Sequence, residues 1–152
     1  MISGESRPTR CVMGRIEPGE EVVAALRELA RFEKIDAGFV RAQGAVDGFE
    51  LARYDAAARG YVAAGGADGP AELVSLQGSV SLEPGGPGVR LWAVLAIGEP
   101  VIGVPSRVEA GLLVRARAVY VEFAIDVLDD GDLERRADPA TGLPLWRPPR
   151  RR

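Results

Sequence analysis

Arginines, carboxylates and serines are the groups this chain offers to chemistry, because it holds eighteen arginines, one lysine, one cysteine and no histidine. Histidine is the side chain that titrates near neutral pH and the commonest metal ligand, so acid/base and metal chemistry built on imidazole is excluded at once. Ser75, Ser79 and Ser81 therefore have no imidazole base, and a serine triad is ruled out. Cys11 stands alone, which forbids an intrachain disulfide and reads as a small buried residue rather than a nucleophile. Asp129, Asp130, Asp132 and Glu134 match no calcium-loop spacing and read as a solvated acidic run. The glycine-rich stretches lack the Gly-x-Gly-x-x-Gly and Gly-Lys-Ser/Thr spacings that bring backbone amides onto a phosphate, so they read as turns. An enzyme here would have to move protons with carboxylates and arginines alone, and no spacing indicates it. The expectation is a protein that is not an enzyme and uses no cofactor.

The elements that must position these groups follow from pattern. A chain of 152 residues, 47% hydrophobic and 27% charged, is sized for one self-sufficient soluble domain, taken as residues 1–146 with 147–152 as a basic tail. Its formal charge is −3, and four positive charges sit on Arg147, Arg150, Arg151 and Arg152, so residues 1–146 carry −7. An acidic body with a basic tail holds a polyanion by the tail and not by its whole surface. No apolar run is long enough to span a membrane, and Met1 to Arg10 lacks the apolar region of a signal peptide, so no membrane partner is expected and the cytoplasm, or the nucleoid within it, is the expected place.

Pro18-Gly19-Glu20 opens a helix over about 20–34, where Val22, Val23, Leu26, Leu29 and Ala30 recur at a period of 3.6. After it, short apolar runs at 38–45, 48–54, 61–64, 73–82, 89–97 and 112–128 read as strands. The turn signals between them are Asp47-Gly48, Gly65-Gly66, Asp68-Gly69-Pro70 and Pro84-Gly85-Gly86-Pro87. Val119, Val121, Phe123, Ile125 and Val127 alternate with polar residues, as in a half-buried strand. In the run 73–82, Gly78 predicts a bulge or a close backbone approach. Residues 129–145 read as a polar loop. The fold class is α+β, with a mostly antiparallel sheet and one main early helix.

The order of Glu72 to Val80, Val89-Arg90-Leu91-Trp92-Ala93, Pro105-Ser106-Arg107-Val108-Glu109-Ala110-Gly111 and Arg136 to Leu143 resembles the plants and prokaryotes conserved (PPC) domain. This domain follows the AT-hooks of plant nuclear proteins and stands alone in prokaryotes. Pro18-Gly19-Glu20, Gly44-Ala45 and Tyr54 fit the same pattern, so the resemblance covers essentially the whole chain. It implies a compact α+β domain that assembles as a homotrimer. Many prokaryotic members carry a His-x-His strand and a third histidine in a glycine turn, which hold a metal. Here the paired histidines fall on Arg90 and Trp92 and the third on Arg107. Arginine stays protonated and indole is a donor only, so none of the three ligates a metal.

The replacement reverses the sign of the expected site. One reading makes Arg90 and Arg107 the clamp for a small anionic ligand, with Trp92 as a stacking wall. The other pairs the arginines with Glu72, Glu99, Glu109 or Glu122 and uses Trp92 to fill the vacated volume. The tail offers a third set of residues, because Arg147, Arg150, Arg151 and Arg152 around Pro148-Pro149 form a short basic arm of the kind that enters an AT-rich minor groove. The first functional expectation is an oligomeric DNA-associated or regulatory module lacking the family metal site. The alternatives are a sensor of a small anion and a purely structural interaction trimer.

Overall fold

The computed structural model describes residues 4–98, 107–128 and 133–147. Helix α1 (Val22–Phe32) begins where the Glu21 carboxylate accepts from the backbone amides of Val23 (3.0 Å) and Ala24 (2.7 Å). The same carboxylate accepts from the amide of Ala116 (3.1 Å), which ties the helix start to a strand and lets a glutamate act as its cap. The helix is shorter than the 20–34 expected from periodicity. The amide of Ala118 donates to the Glu20 carbonyl (2.9 Å), so that residue belongs to strand pairing before any helical turn begins. At the other end Lys34 takes a left-handed conformation (φ 54°), and the amide of Ile35 closes on the Ala30 carbonyl at 2.8 Å.

Among the described residues seven strands precede or follow it: β1 (Arg10–Ile16), β2 (Ala37–Asp55), β3 (Gly60–Glu83), β4 (Gly86–Ile97), β5 (Arg107–Val127), β6 (Glu134–Ala137) and β7 (Pro144–Arg147). They form one sheet in the order β1-β5-β2-β3-β6-β7, with β4 joining both β3 and β5. All pairings are antiparallel except a single parallel contact between β3 and β6 at Leu82 and Glu134. Strands β2, β3, β4 and β5 thus close on one another, and α1 packs against β4 and β5. Leu26, Ile35, Leu51, Leu73, Leu76, Leu91, Leu95 and Ile125 fill the interior. The chain is mostly β-sheet with one short helix, and no helix among the described residues is long and apolar enough to cross a membrane.

Most of the expected turns are bends inside longer strands. Only Pro84-Gly85-Gly86-Pro87 makes a hairpin, with Gly85 and Gly86 at φ 101° and 121°. Gly48, Gly66 and Gly69 instead take positive φ within β2 and β3, where the pairing register shifts around Asp47 and Phe49. These bulges let β2 and β3 run on through the turn signals and close with β4 and β5, so the six short runs merge into four long strands. A similar shift between Ala45 and Val46 brings Ala118 opposite Val46 and leaves Val119 exposed, against the alternation read for this strand. Gly78 meets its expectation: a Cβ there would fall 2.0 Å from the Arg90 carbonyl oxygen. Cys11 corrects one, since it lies exposed on β1, an edge strand, opposite Asp126. Of the stretch 129–145, expected as loop, residues 129–132 lie outside the described residues and the rest, with Trp146 and Arg147, includes the hairpin β6–β7, turned by Asp138 to Leu143 with Gly142 at φ 76°.

Candidate functional site

The register of three strands places two rows of side chains side by side on the outer face of the sheet. Phe39 of β2 lies opposite Ser79 of β3, which lies opposite Arg90 of β4. One row along, Arg41 lies opposite Gln77, and Gln77 opposite Trp92. The intervening β4 residues Val89, Leu91 and Ala93 point into the core, so Arg90 and Trp92 share the outer face as strand alternation requires. The site positions expected at 90 and 92 are therefore brought together.

Arg107 is not brought to them. It opens β5 opposite Ile97, seven residues along β4 from Arg90, which is roughly 23 Å at about 3.3 Å per strand residue. There its side chain is 63% exposed and pairs with Glu109 at 3.1 Å. Glu109 is fixed in turn, because its second oxygen accepts from the amide of Gly66 at 3.1 Å. Arg90 pairs across the β3–β4 hairpin with Glu83 (Nε to Oε1, 3.2 Å). Of the carboxylates expected as partners, Glu109 takes Arg107, neither Glu72 nor Glu122 pairs with either arginine, and Glu99 lies outside the described residues.

The C-terminal hairpin adds residues that sequence reasoning missed. Arg135 of β6 turns back under the outer face and is only 7% exposed. Its Nε donates to Ser81 Oγ (3.0 Å), its Nη2 to Ser79 Oγ (3.1 Å) and its Nη1 to the Pro144 carbonyl (3.2 Å). Its guanidinium carbon lies 5.1 Å from the ring centre of Trp146, and Trp146 meets Phe39 edge to face at 6.0 Å. Among the described residues Arg135 has no carboxylate in ion-pair contact. Burial, followed by the like charge of Arg90, brings its pKa down to about 10, against a smaller opposing pull from Glu83 and Tyr61. The signal that could have found this hairpin was Thr141-Gly142 between two short segments, Glu134 to Ala137 and Pro144 to Arg147.

Phe39, Trp92 and Trp146, with Gln77, Ser79 and Arg41, line a groove of about 660 Å³ on this face. The three aromatic side chains are exposed there. A guanidinium and an indole offer no lone pair to a cation, so Arg90 and Trp92 do not fit a metal. No cluster of three or more cysteine or acidic side chains suited to a cation occurs among the described residues. Arg147 is the last residue of β7, opposite Glu134, and so belongs to the hairpin; Arg150, Arg151 and Arg152 lie outside the described residues.

The model of the Plants and Prokaryotes Conserved domain, abbreviated PCC or PPC, matches residues 3–122. Among solved structures, a metal-containing protein of Archaeoglobus fulgidus is 26% identical with a TM-score of 0.86, over 97% of this chain and 99% of that one. A plant- and prokaryote-conserved protein of Pyrococcus horikoshii is 25% identical with a TM-score of 0.86, over 97% of each. A candidate DNA-binding protein of Bacteroides thetaiotaomicron has the same fold at 18% identity, with a TM-score of 0.80 over 91% of this chain and 92% of that one. No curated protein matches the chain.

Proposed function

The chain belongs to the Plants and Prokaryotes Conserved domain family, and from that premise we propose that it is a non-enzymatic, homotrimeric module that associates with DNA through its C-terminal arginines and lacks a metal site. On this reading it works in the cytoplasm, at the nucleoid. The observation that carries the reading is how the folded body spends its arginines. Nine ion pairs among the described residues, including Arg10 with Glu33, Arg115 with Glu50 and Arg117 with Asp47, match a guanidinium to a carboxylate. With residues 1–146 at −7, this surface repels a polyanion, and the contact falls to Arg150, Arg151 and Arg152. The candidate DNA-binding protein of the same fold supports the same partner class.

One arm with so few charges binds weakly and with strong salt dependence. Three arms on one particle convert weak contacts into avidity. The exposed apolar side chains of Val74, Val94 and Tyr120 favour such an assembly, since it would cover them.

Gel retardation of AT-rich DNA at low salt tests the reading. The intact protein should retain DNA, and deletion of residues 148–152, which spares Arg147 in β7, should abolish retention while the sedimentation mass stays that of a trimer. Failure of the intact protein to retard DNA at low salt overturns the DNA association, and a monomeric mass overturns the assembly.

A further inference from the structure

The groove beside Trp92 has a charge that its own neighbours leave unbalanced. Two of the arginines around it are matched, Arg41 by Asp126 and Arg90 by Glu83. The third, Arg135, is the most buried and is held by two serine hydroxyls and a carbonyl, all neutral. Among the described residues this buried cation meets no anion, which is unfavourable, and they leave the region one positive charge in excess.

That charge reaches the groove by a defined route. Ser79, 2% exposed, accepts from Arg135 through Oγ and lines the floor of the groove, so its O–H is left as a donor on a polarised oxygen. Gln77 adds an amide beside it. Around these donors stand the flat faces and edges of Phe39, Trp92 and Trp146, exposed and gathered from β2, β4 and β7. A volume of about 660 Å³ lies in the range of small-molecule pockets, roughly 300–1,000 Å³.

The geometry points to a binding site for a planar aromatic molecule carrying one anionic group, its ring between Trp92 and Trp146 and its charge at Ser79, backed by Arg135. This site shares Trp92 with the position of the family's paired histidines but is assembled by the C-terminal hairpin and does not involve Arg107. It stands independently of the DNA association, since no residue of 148–152 takes part.

Trp92 and Trp146 are the only two tryptophans in the chain, so their indole N–H signals report this groove alone. The intact protein is titrated with naphthalene-2-carboxylate, with its neutral amide, and with cyclohexanecarboxylate, by calorimetry and by nuclear magnetic resonance of the indole signals. The carboxylate should bind saturably and shift both signals, and the amide and the saturated ring should each bind at least tenfold more weakly. Trp92→Leu, at an exposed position that spares the core, should weaken the carboxylate at least fivefold, and Arg135→Gln should equalise carboxylate and amide. The proposal is overturned if the amide binds as tightly as the carboxylate, or if the indole signals do not move because another copy of the chain fills the groove.

Discussion

Arg135 and Arg107 are both arginines at strand positions, yet they lie near opposite ends of β4 in opposite electrostatic states. Arg107 is exposed and answered by Glu109, which a backbone amide holds in place. Arg135 is buried and, among the described residues, answered only by neutral acceptors. Burial normally accompanies pairing, because a buried charge without a counter-charge raises the energy of the folded state. The arginine whose charge the described residues leave open is Arg135, and it is not one of those aligned with the family's histidines.

The largest effect is expected from removing the surface on which the Arg135 region rests. Gly78→Ala would place a methyl group 2.0 Å from the Arg90 carbonyl and 2.9 Å from Leu91 Cα, both backbone atoms that cannot swing aside. Strands β3 and β4 would have to part, at about 3 kcal/mol or more. Urea unfolding should show that loss, and the Trp92 and Trp146 signals should lose their native dispersion. An effect below about 1 kcal/mol would mean that β3 and β4 do not approach as closely as this.

Truncating the arginine itself comes next. Arg135→Ala leaves the Ser79 and Ser81 hydroxyls, 2% and 0% exposed, without their donor and removes the guanidinium from beside Trp146. Relief from charge burial offsets part of the loss, so a destabilisation of about 1–3 kcal/mol is expected in urea unfolding. A pH series separates the two contributions. Because the folded pKa of Arg135 lies near 10, below its unfolded value, the unfolded chain binds more protons above pH 10 and the burial penalty fades as pH rises. The groups acting on it, Arg90, Glu83 and Tyr61, remain in an Arg135→Met variant, as does Lys34 elsewhere. Between pH 8.5 and 11 the wild type should therefore gain stability relative to Arg135→Met. An unchanged difference across that range would place Arg135 in a solvated environment like that of Arg107.

How much of this was legible in the sequence follows from the range of each interaction. The helix was readable because Val22, Leu26 and Ala30 repeat within one face, a local pattern. The missing side chain at 78 was readable for the same reason. The merging of six strand segments into four was not, since Gly48 and Gly69 look the same in a tight turn and in a bulge, and only the pairing partner tells them apart. The site divided similarly. Arg90 and Trp92 share a face by alternation, which two positions on one strand settle. Arg135 and Trp146 reach the same groove from a hairpin about fifty residues later in the sequence, where no periodic apolar run announces a strand. Neither could the sequence say that Arg107 would lie far along β4, because that depends on the β4–β5 register.

The smallest effect belongs to Arg107. Its partner Glu109 has a second anchor at Gly66, so removing the arginine leaves a partly exposed carboxylate that still accepts a backbone hydrogen bond. A side chain 63% exposed gains little from one surface ion pair, because water screens the attraction and ordering two long side chains opposes it. Arg107→Ala should change stability by less than about 0.5 kcal/mol in urea unfolding and leave naphthalene-2-carboxylate binding unaltered. Were it instead to abolish that binding, Arg107 would have to reach the groove from another copy of the chain. The roughly 23 Å between the two sites within one chain would then be bridged by assembly, and the clamp of Arg90, Trp92 and Arg107 would be restored across an interface.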